Sequence, residues 1–314
     1  MSSTETNTII DQFFLVGLRK SPPSDQPTPP KNNKPQYQPY IKESWPDTPE
    51  VRANQNRVPL FCFPEDIDQY VNAHLNNTSG SAQSVPNSSW GTHFAFVFTD
   101  VSGKKQFGFC RRIAATYNKG HARSRSRNIP VNAPVNVPDE PHRSNSEQPL
   151  GTPDCICVLT HHPWFSFQYK LLEIIEERYL VGTSAVTEFV NAVLQYSPFP
   201  APGQTFTVKI NLNIDDQYYR NKGGARNVPA ANQKKYSILP NEYDFVRPTS
   251  RALLFDVNFR PMFDSLSLSN ILSLFGALLE EYHIILYSKD LTKVSDCAHA
   301  AIGMILPPFS WQSI

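Results

Sequence analysis

Residues 155–175, CICVLTHHPWFSFQYKLLEII, set two cysteines, two histidines and two large aromatics within a dozen positions. In an extended segment Cys155, Cys157 and Leu159 fall on one face and Ile156, Val158 and Thr160 on the other. Both faces can therefore be covered, which predicts an interior strand. His161 and His162 follow where that strand should end. Pro163 then occupies a natural first helical position, where its missing N–H costs nothing. From there Phe165, Tyr169, Leu172, Ile175 and Tyr179 recur every three or four residues, the stripe of a helix packed on the strand.

The same residues admit a zinc reading, with Cys155, Cys157, His161 and His162 as ligands. Cys-x-Cys followed directly by His-His departs from the usual ligand spacings, so strand and helix is the preferred reading. Cys62, Cys110 and Cys297 each lie in an apolar stretch, where a reduced thiol acts as a small hydrophobe. Five cysteines in 314 residues without framework spacing predict a reducing compartment. The start, TIIDQFFLVGL, has no basic lead-in and is broken by Asp11 and Gln12, so no secretory signal is expected. No run approaches the roughly 18 apolar residues of a membrane span.

With 40% hydrophobic and 12% aromatic residues there is material for a real core. At roughly 150 residues per domain, the length predicts two domains. A formal charge of +1 supplies no global field for nucleic acid, and no nucleic-acid-binding motif occurs. The 28 prolines cluster instead of spreading. Residues 21–57, residues 117–153 and a third stretch from about 215 to 250 read as disordered insertions, being rich in Pro, Asn, Ser and Lys without apolar periodicity. Loop closure tolerates such length, because each doubling costs only about 0.6 kcal/mol. The basic residues from Arg111 to Arg127 could rest on an anionic membrane, each cation contributing about 1 kcal/mol. Serines alternating with Arg123, Arg125 and Arg127 could instead be phosphorylated, reversing the local charge.

The segments between are periodic. HFAFVFTDVSGKKQFGFCRR, from His93, alternates, turns through Asp100 to Gly103 and alternates again, a β-hairpin. Val186, Phe189, Val190, Val193 and Leu194 mark a second helix that PFPAPGQ stops, and TFTVKINL alternates as a half-buried strand. Near the end, Ile271, Leu272, Phe275, Leu278 and Leu279 form a helical stripe starting near Ser269 or Asn270. HIILYS then reads as a strand buried on both faces. Ser288 or Asp290 could cap a last helix with Leu291, Val294, Ala298, Ala301, Ile302 and Ile305 inward. Helix, strand, helix makes an α/β layer. Nucleotide-binding, nucleophile-elbow and metalloprotease motifs do not occur in the sequence. Glu280 and Glu281 close to His283 read as a solvated helix end rather than an acid–base group.

In order, LFCFPEDID, FAFVFTDVSGKKQFGFCRR, CICVLTHHPWFSFQYKLLEII, SPFPAPGQTFTV and the block from Leu268 to Ile314 resemble the DENN domain family. PWFSFQYKLL is most similar to the connecdenn branch, and PFPAPGQ to a neighbouring one. The resemblance implies an α/β (α+β) fold. A longin-like upstream DENN lobe would span residues 1–200, with insertions at 21–57 and 117–153. A core DENN lobe would span 201–314 and, set against the family pattern, be incomplete at its C-terminus. An incomplete sheet would be weakened and prone to association.

The implied function is guanine-nucleotide exchange on a Rab-type small GTPase in vesicle or endosomal traffic. The implied location is cytoplasmic, peripheral to those membranes. Such a factor needs no nucleophile, cofactor or metal, because it only has to bind the GTPase better without nucleotide than with it. The alternative is a scaffold fragment that binds a GTPase without releasing its nucleotide. A GTPase docked between two lobes would bury on the order of 1,000 Å². The expected exposed contacts are Asp100, Lys104, Lys105, His162, Trp164 and Phe165, with Glu281, Lys289 and Asp290 from the core lobe. Aromatic and charged anchors of this kind are enriched at interface centres.

Overall fold

The computed structural model describes residues 8–20, 37–69, 71, 92–99, 105–113, 152–210, 239–249 and 256–305. Their elements run β1 (Gln12–Lys20), β2 (Tyr37–Trp45), α1 (Pro49–Asn54), α2 (Val58–Cys62), β3 (His93–Thr99), β4 (Lys105–Ile113), β5 (Asp154–Thr160), α3 (Phe165–Val181), α4 (Thr183–Leu194), β6 (Thr205–Lys209), β7 (Glu242–Val246), α5 (Arg260–Ser265), α6 (Leu268–Leu279) and α7 (Leu291–Ile305). The fold is of the mixed α/β, α+β kind. One sheet has the strand order β2-β1-β5-β4-β3, and β6 pairs with β7 in a second. By contacts the chain forms two compact units, one of residues 1–13, 93–110 and 158–314, the other of 14–92 and 111–157.

The expected interior strand is β5, central in the order and buried at all seven positions. In the unit of residues 14–92 and 111–157, β2 corrects the reading of 21–57 as an insertion. YQPYIKESW is a strand despite Pro39, because it lies at the sheet edge, where a missing N–H removes no ladder bond. Helix α1 follows, capped by Thr48, whose hydroxyl accepts the Val51 N–H at 3.4 Å. The insertion at 117–153 falls almost wholly outside the described residues.

In the other unit, β3 and β4 are the two arms of the expected hairpin. Gly108 is required there, since a Cβ would come within 2.1 Å of the Phe96 ring. β3 is the far edge of the sheet, and α7 covers it. The Thr292 hydroxyl donates to the His93 carbonyl at 2.7 Å, and the Ser295 hydroxyl accepts from Ala95 N–H at 2.9 Å. Helix side chains thus satisfy strand groups that would otherwise template aggregation. This corrects the expected inward face of α7: the buried residues are Ser295, Cys297, His299, Ala300, Ala301 and Gly303, with only Ala301 shared. Small and polar residues face inward because the helix rests on backbone, and a Cβ at Gly303 would already lie 3.0 Å from the Phe259 ring.

Helices α3 and α4 pack together as their apolar stripes predict. β6 and β7 pair antiparallel, from Thr205 opposite Val246 to Lys209 opposite Glu242. Phe206 and Phe245 from this pair stack against Phe167 of α3 at ring distances of 6.0 and 5.0 Å. β7 also corrects the reading of 215–250 as one long loop: EYDFV buries Phe245 and forms a strand.

The largest correction concerns residues 268–288. Ser267 caps α6, its hydroxyl accepting Asn270 N–H at 3.3 Å. Only Ile271 and Leu274 of α6 are buried, while Leu272 is 60% exposed. HIILYS, expected as a strand covered on both faces, forms no strand among the described residues, and Ile285 is 93% exposed. An apolar run becomes a strand only where a neighbour accepts its hydrogen bonds, and none of the described strands lies beside it.

Candidate functional site

At the C-terminal end of β5 the chain turns sharply. The Thr160 hydroxyl donates to the Ile9 carbonyl and accepts His162 N–H, each at 3.1 Å. Trp164 N–H closes the turn on the His162 carbonyl at 2.8 Å. The His162 and Trp164 rings consequently stack at 4.4 Å with 14° between planes. Phe199, from the proline-rich loop after α4, joins at 5.1 Å from His162 and 5.9 Å from Trp164. Arg247, just past β7, holds its guanidinium 4.6 Å over Phe199 and 5.4 Å over Trp164 and donates to the Pro200 carbonyl. All four residues are half-buried. Burial pushes the His162 pKa down, so the imidazole is neutral at pH 7. The result is a partly exposed platform of π faces and one held cation, the residue types that anchor protein interfaces.

A cavity of about 200 Å³ lies against the start of α3, lined by residues that include Phe165, Tyr169, Asp256, Asp296 and His299. Trp164, at the N-cap, offers no side-chain acceptor. Asp256 replaces it, its two carboxylate oxygens accepting Ser166 N–H at 3.2 and 3.1 Å, where the helix dipole also favours negative charge. Burial first, then the Asp290 carboxylate, pushes the Asp296 pKa up from 3.8 to about 6. Between those values the folded state holds more protons than the unfolded one, so this group's contribution to stability falls as pH rises from about 4 to about 6. Asp296→Asn is therefore expected to stabilise the chain at pH 7 by about 1 kcal/mol, the shift being discounted for a partly exposed group, and by nothing at pH 3. Urea midpoints of both proteins from pH 3 to 8 check this. His299, pushed down from 6.5 to about 4 by burial, acts oppositely in both proteins, its stability contribution lost as pH falls through that window.

Of the expected contact residues, the structure brings together His162 and Trp164 only. Phe165 is core, 5% exposed between Phe109 and His299 at ring distances of 5.4 and 4.4 Å, which corrects its expected exposure. Lys105 opens β4, half-buried, its pKa lowered by that burial. Glu281, Lys289 and Asp290 are exposed around the unpaired 283–288 stretch, and no hydrogen bond, ion pair or ring contact joins them to the platform among the described residues. Glu281 ends α6 at φ 58° in a Schellman turn, with Tyr282 N–H on the Ala277 carbonyl and its own N–H on Leu278. Asp290 accepts Lys293 N–H at 3.2 Å and so starts α7. Asp100 and Lys104 lie outside the described residues. The zinc reading fails on placement. Cys155 and Cys157 are fully buried, His161 Nδ1 lies 2.5 Å from Asp11, His162 faces Trp164, and the four do not converge.

Phe199, Arg247, Asp256, Asp296 and His299 were not singled out by sequence reasoning. Phe199, Arg247 and Asp256 meet His162, Trp164 and Ser166 from tens of residues away, and no local spacing marks any of the five.

The chain matches the DENN (AEX-3) domain over residues 151–314 and the uDENN domain over residues 18–113. DENN domain-containing protein 2B of Mus musculus is 25% identical over 311 residues, covering 97% of this chain and 20% of that protein. DENN domain-containing protein 1C of Mus musculus is 26% identical over 320 residues, covering 100% and 31%. DENN domain-containing protein 2D of Homo sapiens is 24% identical over 312 residues, covering 96% and 49%. The chain thus spans half or less of the length of these relatives.

Proposed function

Because the chain belongs to the DENN domain family, we propose that it is the upstream and core part of a guanine-nucleotide exchange factor for a Rab-type small GTPase in vesicle or endosomal traffic. The observation that carries this reading is the tandem of uDENN and DENN matches in one chain. The reading places the protein in the cytoplasm at the surface of those membranes, with the basic residues from Lys119 to Arg127 meeting anionic lipid; Arg112, expected to share in that contact, is instead buried, donating to the Cys62 carbonyl and the Glu65 carboxylate.

Exchange is differential binding: a factor that holds the empty GTPase more tightly than the loaded one must, by linkage, weaken the nucleotide to the same degree. No group on the factor has to form or break a covalent bond. The His162–Trp164–Phe199–Arg247 platform supports the reading, offering preformed aromatic and guanidinium contact surface at low entropic cost. Beads carrying this chain are expected to retain a nucleotide-free Rab at least ten-fold more than the same Rab loaded with GDP. Trp164→Ala is expected to cut that retention by about 2 kcal/mol, some thirty-fold. Equal retention of both forms would instead fit a scaffold that binds without exchanging.

A further inference from the structure

We propose that the cavity formed by β3, the start of α3, residues 256–258 and α7 is a binding site for a guanidinium or primary ammonium group on a short alkyl stem. Two carboxylates, Asp256 and Asp296, line it, and among the described residues no lysine or arginine does. Asp296 makes no hydrogen bond or ion pair among the described residues, although half of it is withdrawn from water. A half-buried anion without a counter-charge is costly, and an incoming cation relieves that cost.

His299 is the second, independent pointer. It is 8% exposed and lines the cavity. Its Nδ1 lies 3.5 Å from the Ser295 hydroxyl, whose own proton is directed at the Ala95 carbonyl. In the tautomer with the ring proton on Nδ1, which that arrangement favours, Nε2 carries a lone pair with no hydrogen-bond partner among the described residues. Burial keeps this imidazole neutral at pH 7, so it accepts from a cation rather than repelling one. Tyr169 completes the wall. Its phenol is held protonated, by burial foremost and then by the fields of nearby groups that include both Asp296 and Asp256, and its ring with that of Phe165 supplies π surface for the stem.

Size and donor placement select the ligand class. The volume of about 200 Å³ is that of a long side chain rather than a bare ion. The carboxylate and imidazole donors do not converge to metal-ligand distances of one another. Ser166 and Asn258, both exposed, form the mouth, so a side chain of a docked protein or a free amine can enter from solvent.

Titration of the chain with n-butylguanidinium, followed by NMR at the His299 ring, tests the site. Saturable shifts are expected, with n-butylurea, the neutral analogue of the same shape, binding at least ten-fold more weakly. Asp296→Asn is expected to weaken n-butylguanidinium at least ten-fold while the chain stays folded, and Asp256→Asn, which keeps an acceptor for Ser166, to weaken it in the same direction. A blocked peptide carrying one arginine separates the sources: tighter binding than n-butylguanidinium assigns the site to a protein side chain, weaker binding to a free amine. No saturable shift, equal binding of the urea, or full affinity in Asp296→Asn would overturn the proposal.

Discussion

Lys42→Met is expected to destabilise the chain by about 3–5 kcal/mol, the cost of leaving a buried charge without its partner. Asp154 begins β5 with a fully buried side chain, and Lys42 Nζ approaches its two oxygens at 2.6 and 2.7 Å. Lys42 stands on β2, and β1 lies between that strand and β5. The lysine stem crosses β1 at Gly17, where a Cβ would lie 2.5 Å from Lys42 Cε. The missing side chain is what lets the cation reach the carboxylate. The strand order thus explains the glycine, and the glycine explains the pair. The double variant Lys42→Met, Asp154→Leu is expected to recover most of the loss, because an apolar pair of similar volume carries no desolvation cost. Urea denaturation of the three proteins measures both effects. A loss below about 1 kcal/mol in Lys42→Met would mean that water or the other neighbours of Asp154 stabilise its charge without the lysine.

Arg178→Ala is expected to cost a similar amount, about 3–5 kcal/mol, through a cavity and orphaned acceptors together. Arg178 of α3 is fully buried. Its guanidinium donates to the Pro240 carbonyl at 2.7 Å and lies 5.3 and 5.2 Å over the Phe189 and Tyr243 rings. One side chain therefore ties α3 and α4 to the start of β7. Arg178→Met, which fills the space without the charge, is expected to cost only about 1–2 kcal/mol, chiefly the lost bond to Pro240. Hydrogen exchange should show the damage of Arg178→Ala first in β6 and β7. If methionine costs as much as alanine, the guanidinium contributes by its hydrogen bonds rather than its volume.

The core of this fold is legible in the sequence wherever a period and a burial face coincide. β5 and α3 are read correctly because a two-faced apolar run leads directly into a 3.6-residue stripe. Residues 283–288 mislead for the same reason: an apolar run states that a strand could be covered, not that a neighbour is present to cover it. β2 hides behind prolines that an edge position tolerates. The buried face of α7 is hidden by Ser295 and His299, polar residues that face inward, the first to bond Ala95 of β3 and the second to pack on Phe165. In the candidate site, His162 and Trp164 lie two residues apart in sequence and stand out. Phe199, Arg247 and Asp256 find their partners, and Asp296 its place in the cavity wall, only through the tertiary packing around the start of α3. Charge placement across strands, as in Lys42 with Asp154, leaves no local signature at all.

The central claim is exchange on a Rab-type GTPase, and release of a fluorescent GDP analogue from a panel of Rab GTPases tests it most directly. With this chain added, at least one member is expected to release nucleotide ten-fold or more faster than alone, and Trp164→Ala to remove most of that acceleration. Unchanged release across the whole panel, with the chain shown to be folded and an active exchange factor accelerating release in the same assay, would contradict the account.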